Sequence, residues 1–353
     1  MEDFFNRLKN QLRQDLPFVI YNKPNHDKIV GYFQKNDRLY FAEDFDKPGF
    51  VFAPFDGKEV VLIPQSHSEI IITDWISEDV ATNERIIQSD LQNEKATYEA
   101  LVSKGIAAIL NGEFQKVVLS RKETLRLENF EAIATFKKLA STYPTAFIYC
   151  FFHPKIGMWF GASPEQLLKV KTNAFETIAL AGTQKFEGNE EVDWGNKEKE
   201  EQQMVTDFIM ENLESVTSDI AFSNPYTYKA GNLLHIKTDI SGVLNDSSDV
   251  KQLVEILHPT PAVCGLPKEA ARKFILENEG YNRKYYSGYL GELDADFYSD
   301  NKTTDLFVNL RCMEIGDDSA IIYVGCGITK DSIPEKEFEE SVNKSMTMKK
   351  ILN

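Results

Sequence analysis

Short apolar runs follow one another through residues 17–75 with no helical stretch between them: PFVIYN, KIVGYFQ, RLYFAE, GFVFAPF, VVLIP and EIIITDW. Strands that succeed strands at this regular spacing form an antiparallel sheet. The habit returns at AFIYCFF, GMWFGAS, EQLLKVKT and FETIALAG, and around NLLHIKTDISGVL, DLFVNLRCMEIG and SAIIYVGCGITK. A parallel sheet would need a helical crossover between most of these runs. The fold class is therefore α+β with mainly antiparallel sheets, not a βαβ succession. Helices are expected in MEDFFNRLKNQLRQDLPF, over residues 94–111 closed by Gly112, in FEAIATFKKLASTYP, from Lys197, near 248–257 and 267–278, and from Pro334.

A chain of 353 residues with a formal charge of −16 lacks the basic footprint of a nucleic-acid or anionic-membrane binder. A local basic pocket for a small anion stays open. Cys150, Cys264, Cys312 and Cys326 show no CxxC spacing and no zinc pattern, so they read as buried free thiols of a reducing compartment. The N-terminal helix lacks the apolar core of a signal peptide, and no run approaches a membrane span. A cytoplasmic location is expected.

Polar residues on apolar faces carry the functional signal. In FQKVVLSRKETLRL, residues 114–127, a strand would put Phe114, Lys116, Val118 and Ser120 on one face and Gln115, Val117, Leu119 and Arg121 on the other. Lysine is seldom fully buried without a partner. Lys116 is then either an edge charge with a snorkelling stem or a residue placed for chemistry. In KEKEEQQMVTDFIMENL the apolar stripe runs through Met204, Val205, Phe208 and Ile209. Continued backwards it lands on Glu201 and Glu198, while Lys199 and Glu200 turn away. A solvated helix start, where Glu favours the positive end, fits equally well.

In PEKEFEESVNKSMTMKKIL, Glu337, Glu340 and Lys344 share one face, as in a salt-bridged surface helix or half of a cation site. Carboxylates from two helices suit a hard cation such as Mg²⁺, completed by waters and an anionic substrate. Lys344 and Arg311 would then be fixed positive groups for a carboxylate. GASPEQLLKV presents Glu165 at a strand start after a tight turn, and ALAGT (179–183) puts small residues where backbone can approach a ligand. Gly325-Cys326-Gly327 is not a dinucleotide fingerprint.

Taken in order, KVVLSR (116–121), GASPE (161–165), LAGT (180–183), KEKEE (197–201), LLHI (233–236), LHPTPAVCGLP (257–267), NLRC (309–312), YVGCGI (323–328) and EFEESVNK (337–344) resemble the chorismate-utilising enzymes. That family comprises isochorismate, salicylate, anthranilate and aminodeoxychorismate synthases. The resemblance covers residues 110–350, about two thirds of the chain. It implies a layered αββα sandwich of two mainly antiparallel sheets with helices outside. Residues 91–353 would be the chorismate-binding catalytic domain, and 1–90 would complete its sheets without standing alone. Lysine at 116 resembles the isochorismate and salicylate synthases, where anthranilate synthases carry glutamine. Alanine at 181 departs from the lysine of the aminodeoxychorismate branch. HPTPA looks most like the isochorismate synthases. Gln202 and Gln203 replace more polar or charged residues of some relatives, which touches only the surroundings of the site.

The activity implied is that of an isochorismate synthase, a Mg²⁺-dependent isomerase acting on chorismate. By that resemblance Lys116 is the base for water attack at C2, and Glu165 the acid for the departing C4 hydroxyl. Such a base must be neutral, through desolvation or a neighbouring cation, and such an acid needs a raised pKa. His235 would lie near the reacting carbons, although a satisfied strand histidine fits it too; His258 is expected to be structural. Glu201 and Glu340 would hold the metal on the ring carboxylate, with Glu198 and Glu337 orienting its waters. Arg311, Lys344 and amides near Gly325 would hold the enolpyruvyl carboxylate, and Gly182 and Thr183 the ring side. No glutaminase subunit, nucleic acid or membrane partner is expected, and the chain would be a monomer or weak dimer. The nearest rival is a salicylate synthase, which goes on to eliminate pyruvate. More distant rivals are an aminating enzyme and a non-catalytic chorismate sensor. The product would feed menaquinone or catecholate siderophores alike.

Overall fold

Consecutive apolar runs become strands, and the strands assemble into two antiparallel sheets. The computed structural model describes residues 1–77, 91–230, 233–297 and 302–352. Residues 78–90 of the expected N-terminal part, Asn232 at the head of one expected strand, and Asn353 lie outside the described residues.

One sheet runs, edge to edge, Gly265–Leu266, Lys116–Arg126, Ser319–Ile328, Cys312–Ile315, Gly157–Ser163, Phe147–His153, Phe18–Asn22, Lys28–Gln34 and Ser68–Asp74. The other runs Thr217–Phe222, Leu233–Leu244, Ala174–Lys185, Gln166–Lys171, Thr303–Val308, Tyr289–Leu293, Gly49–Ala53, Val61–Pro64 and Tyr40–Phe41, with Tyr226–Ala230 also paired to Leu233–Leu244. Strands of the first 77 residues belong to both sheets. An aromatic layer fills the space between them, with Phe52 stacked on Tyr285 at 4.2 Å and Phe147 on Phe307 at 4.4 Å. Each such side chain withdraws enough apolar surface to contribute about 1.5–3 kcal/mol.

Helices cover the outer faces. The amphipathic stripe of α1 (Glu2–Arg13) buries Phe4, Phe5 and Leu8 on the first sheet, beside α3 (Ala132–Thr142) and the C-terminal end of α7 (Pro334–Leu352). On the second sheet lie α4 (Asn196–Leu213), through Val205, Phe208 and Ile209, and α5 (Val250–Leu257). The remaining helices, α2 (Leu91–Leu110) and α6 (Lys268–Asn278), close the Lys116–Arg126 end. The fold is thus an α+β, αββα sandwich. Among the described residues no helix is long and apolar enough to cross a membrane. All four cysteines are buried free thiols.

Several local expectations are corrected. Phe114 does not share a face with Lys116: the strand begins at Lys116, and Phe114 packs with Val117, Leu119, Cys326 and Ile328. DLFVNLRCMEIG is not one strand. Thr303–Val308 belongs to the second sheet and Cys312–Ile315 to the first, so residues 309–311 cross between sheets. The tight turn expected at Gly161–Pro164 is shorter: the strand runs to Ser163, and residues 164–165 make a second crossing, from Gly157–Ser163 to Gln166–Lys171 in the other sheet. The crossings are laced together, because Ser163 Oγ donates to the Val308 carbonyl at 2.5 Å and the Val308 amide to the Glu165 carbonyl at 3.0 Å. The strands Thr217–Phe222, Tyr226–Ala230 and Tyr289–Leu293 had no clear apolar alternation to announce them.

Candidate active site

The two crossings, a bulge, the start of α4 and the second and third turns of α7 meet around one cavity. Its floor comes from paired strands. Val118 faces Gly327 and Ser120 faces Gly325 in the antiparallel register, so small residues stand opposite larger ones and leave space. A Cβ on Gly325 would lie 2.6 Å from the Leu119 carbonyl, so only glycine fits there. One wall is the register shift between Ala181 and Gln184, where Gly182 adopts φ +70°. Bulges of this kind re-aim backbone groups: the Gly182 carbonyl accepts a 2.8 Å bond from His235 Nδ1.

The crossings supply charge. Glu165 is 5% exposed. Burial lifts its carboxyl to about 7, against the opposing pull of Lys116 and Lys344. Arg311 reaches the cavity from a residue with φ +47°, and burial lowers its proton affinity. Burial and the nearby Arg311 push His235 down to about 3, so the ring is neutral. With Nδ1 donating to a carbonyl, its Nε2 is left as an acceptor.

Carboxylates and lysines interleave at the helix starts. Lys116 is wholly buried, and its Nζ lies 2.8 Å from Glu201 Oε1. Gly327 makes room for this pair, since a Cβ there would lie 2.4 Å from Glu201 Oε1 and 3.1 Å from Lys116 Cε. Lys116 is thus buried, the first of the two surroundings expected for it, while the charged group beside it is a carboxylate and not the cation named as the alternative. Lys344 pairs with Glu340 at 2.6 Å and donates to the Gly325 carbonyl at 3.1 Å. Burial raises the Glu340 carboxyl, but Lys344 outweighs it and holds the group below its usual range. Lys197 binds Glu337 at 2.8 Å and also feels Glu201 and Glu340.

Four carboxylates, Glu198, Glu201, Glu337 and Glu340, thus gather where three ammonium groups balance them. All-oxygen donors suit a hard cation such as Mg²⁺. Among the described residues the tightest donor group is Glu337, Glu340 and Cys326, whose ligand atoms lie within 4.8 Å of one another. Burial keeps Cys326 a protonated thiol that donates to the Glu337 carbonyl at 3.2 Å, so the chemistry of the set is that of oxygen.

Of the residues singled out from sequence, Glu165, Gly182, Thr183, Glu198, Glu201, His235, Arg311, Gly325, Glu340 and Lys344 line this cavity. Lys116 and Glu337 stand one contact behind it, through Glu201 and Lys197. His258 lies elsewhere, its Nε2 3.1 Å from the Phe55 carbonyl. Lys197 and Tyr286 also line the cavity and were not singled out. Lys197 stands inside the KEKEE run, so its charge beside two aligned carboxylates was the available signal; Tyr286 had none.

The family model for chorismate binding enzymes matches residues 62–353. Isochorismate synthase EntC of Escherichia coli (strain K12) is 28% identical over 365 aligned positions, covering 94% of this chain and 89% of that protein. A salicylate biosynthesis isochorismate synthase of Pseudomonas aeruginosa is 29% identical over 269 residues, and the chain spans only 55% of that protein's length. Among solved structures, MenF, the menaquinone-specific isochorismate synthase from Escherichia coli, superposes with a TM-score of 0.78 at 21% identity, covering 96% of this chain and 89% of that one. The last likeness speaks for the fold; the sequence match extends over most of the chain and over every element that builds the cavity. The chain belongs to the family of chorismate binding enzymes.

Proposed function

We propose that the chain is an isochorismate synthase, an isomerase that converts chorismate to isochorismate with Mg²⁺. The observation that carries the reading is a buried carboxyl in the cavity, Glu165, lifted to about 7, with a wholly buried lysine, Lys116, one contact behind through Glu201. A carboxyl raised in this way is suited to give up a proton near neutral pH.

In this reading Lys116 takes the proton of a water that attacks C2. Glu165 gives its proton to the C4 hydroxyl as that group leaves, and the ring double bonds shift between the two carbons. Lys116 would act as that base from a place beside the Glu201 carboxylate. A cation taking the oxygens of Glu201 would remove the carboxylate that holds it. Glu201 and Glu340 would hold that cation, with Glu198 and Glu337 around its waters; when bound it would neutralise the ring carboxylate and fix its orientation. Arg311 and Lys344 suit the second carboxylate of a dianionic substrate, and His235 Nε2 is an acceptor for a hydroxyl. These local cations offset the net negative charge of the chain.

The test is a product assay: purified protein, chorismate, with and without Mg²⁺, products separated by chromatography. Isochorismate formed only with metal is the expected result. Salicylate with pyruvate would move the chain to the salicylate synthases, and an aminated product with ammonia to the aminating enzymes. Binding without conversion would leave a chorismate sensor.

A further inference from the structure

A second cavity lies behind the active site. Residues 112–115, α4 and residues 329–331 enclose it, and it shares Lys197 and Glu201 with the first. Its volume is about 410 Å³. Six water molecules at liquid density occupy roughly 180 Å³, so a hydrated cation fits. The chamber continues outward, since Gln115, Met204 and Pro267 line both it and an open groove beside α4, α5 and α6. A succession of spaces therefore joins the surface to Glu201 without passing through the substrate cavity.

Charge decides what can travel there. Glu113, Glu200, Glu201 and Asp331 line the chamber, opposed by Lys197 and Lys330. Asp207, Glu211 and Glu255 surround the groove, opposed by Lys268. Such a field draws in a divalent cation and repels a dianion. The substrate cavity, by contrast, holds Arg311 and Lys344 for an anion among its carboxylates, and a bound substrate would stopper it.

We infer that the rear chamber and groove form a separate entrance and exit for the divalent cation, with Lys197 and Glu201 as the partition. The inference rests on the reading of Glu201 and Glu340 as cation ligands. It means that cation can reach or leave the site while substrate fills the front.

A path sets rates without setting affinity, and that distinguishes it from a ligand. Met204 is half-buried at the junction of chamber and groove and touches no site residue's role. Mn²⁺ alone is the probe, followed by rapid-mixing electron paramagnetic resonance, with and without saturating chorismate. In Met204→Trp, association and chelator-driven release should slow by the same factor, leaving the dissociation constant unchanged, and most strongly with chorismate present. Glu200 and Asp331 are exposed, so Glu200→Lys with Asp331→Lys avoids any packing cost. Association should fall about tenfold at low salt and recover as salt is raised. Unchanged rates in both variants overturn the rear entrance, as does a slowing in Met204→Trp that is matched by weaker affinity. Wild-type protein that binds no Mn²⁺ under either condition overturns the cation-site reading beneath it.

Discussion

Lys116 Nζ lies 2.8 Å from Glu201 Oε1 although Lys116 is wholly buried, and no side chain at Gly327 parts them. Lysine is seldom wholly buried, so packing alone does not account for Lys116 beside this carboxylate. Replacing Lys116 with Met keeps most of the stem's contacts and removes the amine. Turnover of chorismate should fall by about 10²–10⁴-fold, while the circular dichroism spectrum stays that of the wild type. Near-normal turnover would remove Lys116 from the role of base.

Glu165 sets a pH limit. Its folded value of about 7 stands above the ordinary 4.5 because of burial, so the acid form is present below about pH 7 and lost above it. Turnover should fall as pH rises through 7, and Glu165→Gln should abolish that limb while lowering the rate. Stability carries the same sign. A raised carboxyl favours the fold fully below 4.5, and that contribution is lost as pH rises through about 7. The Gln variant should therefore gain on the wild type between those values, by at most about 3 kcal/mol, and hold the gain at pH 8. Denaturant titrations at pH 4.5 and 8 measure it; parallel curves would show that Glu165 is not raised.

His235 should contribute no limb. It is neutral down to about pH 3, through burial first and Arg311 second, with Nδ1 donating to Gly182. His235→Asn can keep a donor near Gly182 while removing Nε2 from the cavity. The rate should drop with the limb near pH 7 in place. A limb near 7 that vanished in this variant would belong to His235 instead of Glu165.

The layers of the fold were legible because short apolar runs succeed one another with no helix between, as at Phe18–Asn22 and Lys28–Gln34. Glu201 was legible because a carboxylate continues the stripe of Val205 and Phe208, a position where water alone would not place it. The crossings were not. Apolar residues run on from Leu306 through Val308 to Cys312, and period-2 patterning cannot show a strand changing sheets. Yet that change aims Arg311, and its neighbour aims Glu165. Tyr289–Leu293 escaped notice because Gly291, at φ +147°, interrupts its apolar pattern. The roles assigned to individual groups came from the family resemblance, whereas the faces they occupy came from their own spacing.

The two glycines of the floor should fail differently. A methyl on Gly327 meets the far ends of flexible side chains, Glu201 Oε1 at 2.4 Å and Lys116 Cε at 3.1 Å. Gly327→Ala should push the pair apart and lower turnover with little change in melting temperature. A methyl on Gly325 meets the Leu119 backbone carbonyl at 2.6 Å, which cannot swing aside. Gly325→Ala should cost about 1–3 kcal/mol of stability. Equal melting losses in the two variants would contradict this division.

Lys197 occupies the acidic cluster as an internal cation. It binds Glu337 at 2.8 Å, and its ammonium is held charged by Glu337, Glu201 and Glu340 in spite of burial. A divalent cation arriving there must compete with it. Lys197→Met removes the competitor and leaves Glu337, already raised by burial, without its partner. Metal-free protein should melt at lower temperature than the wild type, because a buried carboxylate has lost its counter-charge. Added Mg²⁺ or Mn²⁺ should restore more than the difference, by binding only the folded state. The dissociation constant by calorimetry should tighten about tenfold, the worth of one charge-assisted contact. Affinity that is unchanged or weaker in this variant would show that Lys197 supports the cation site instead of competing for it.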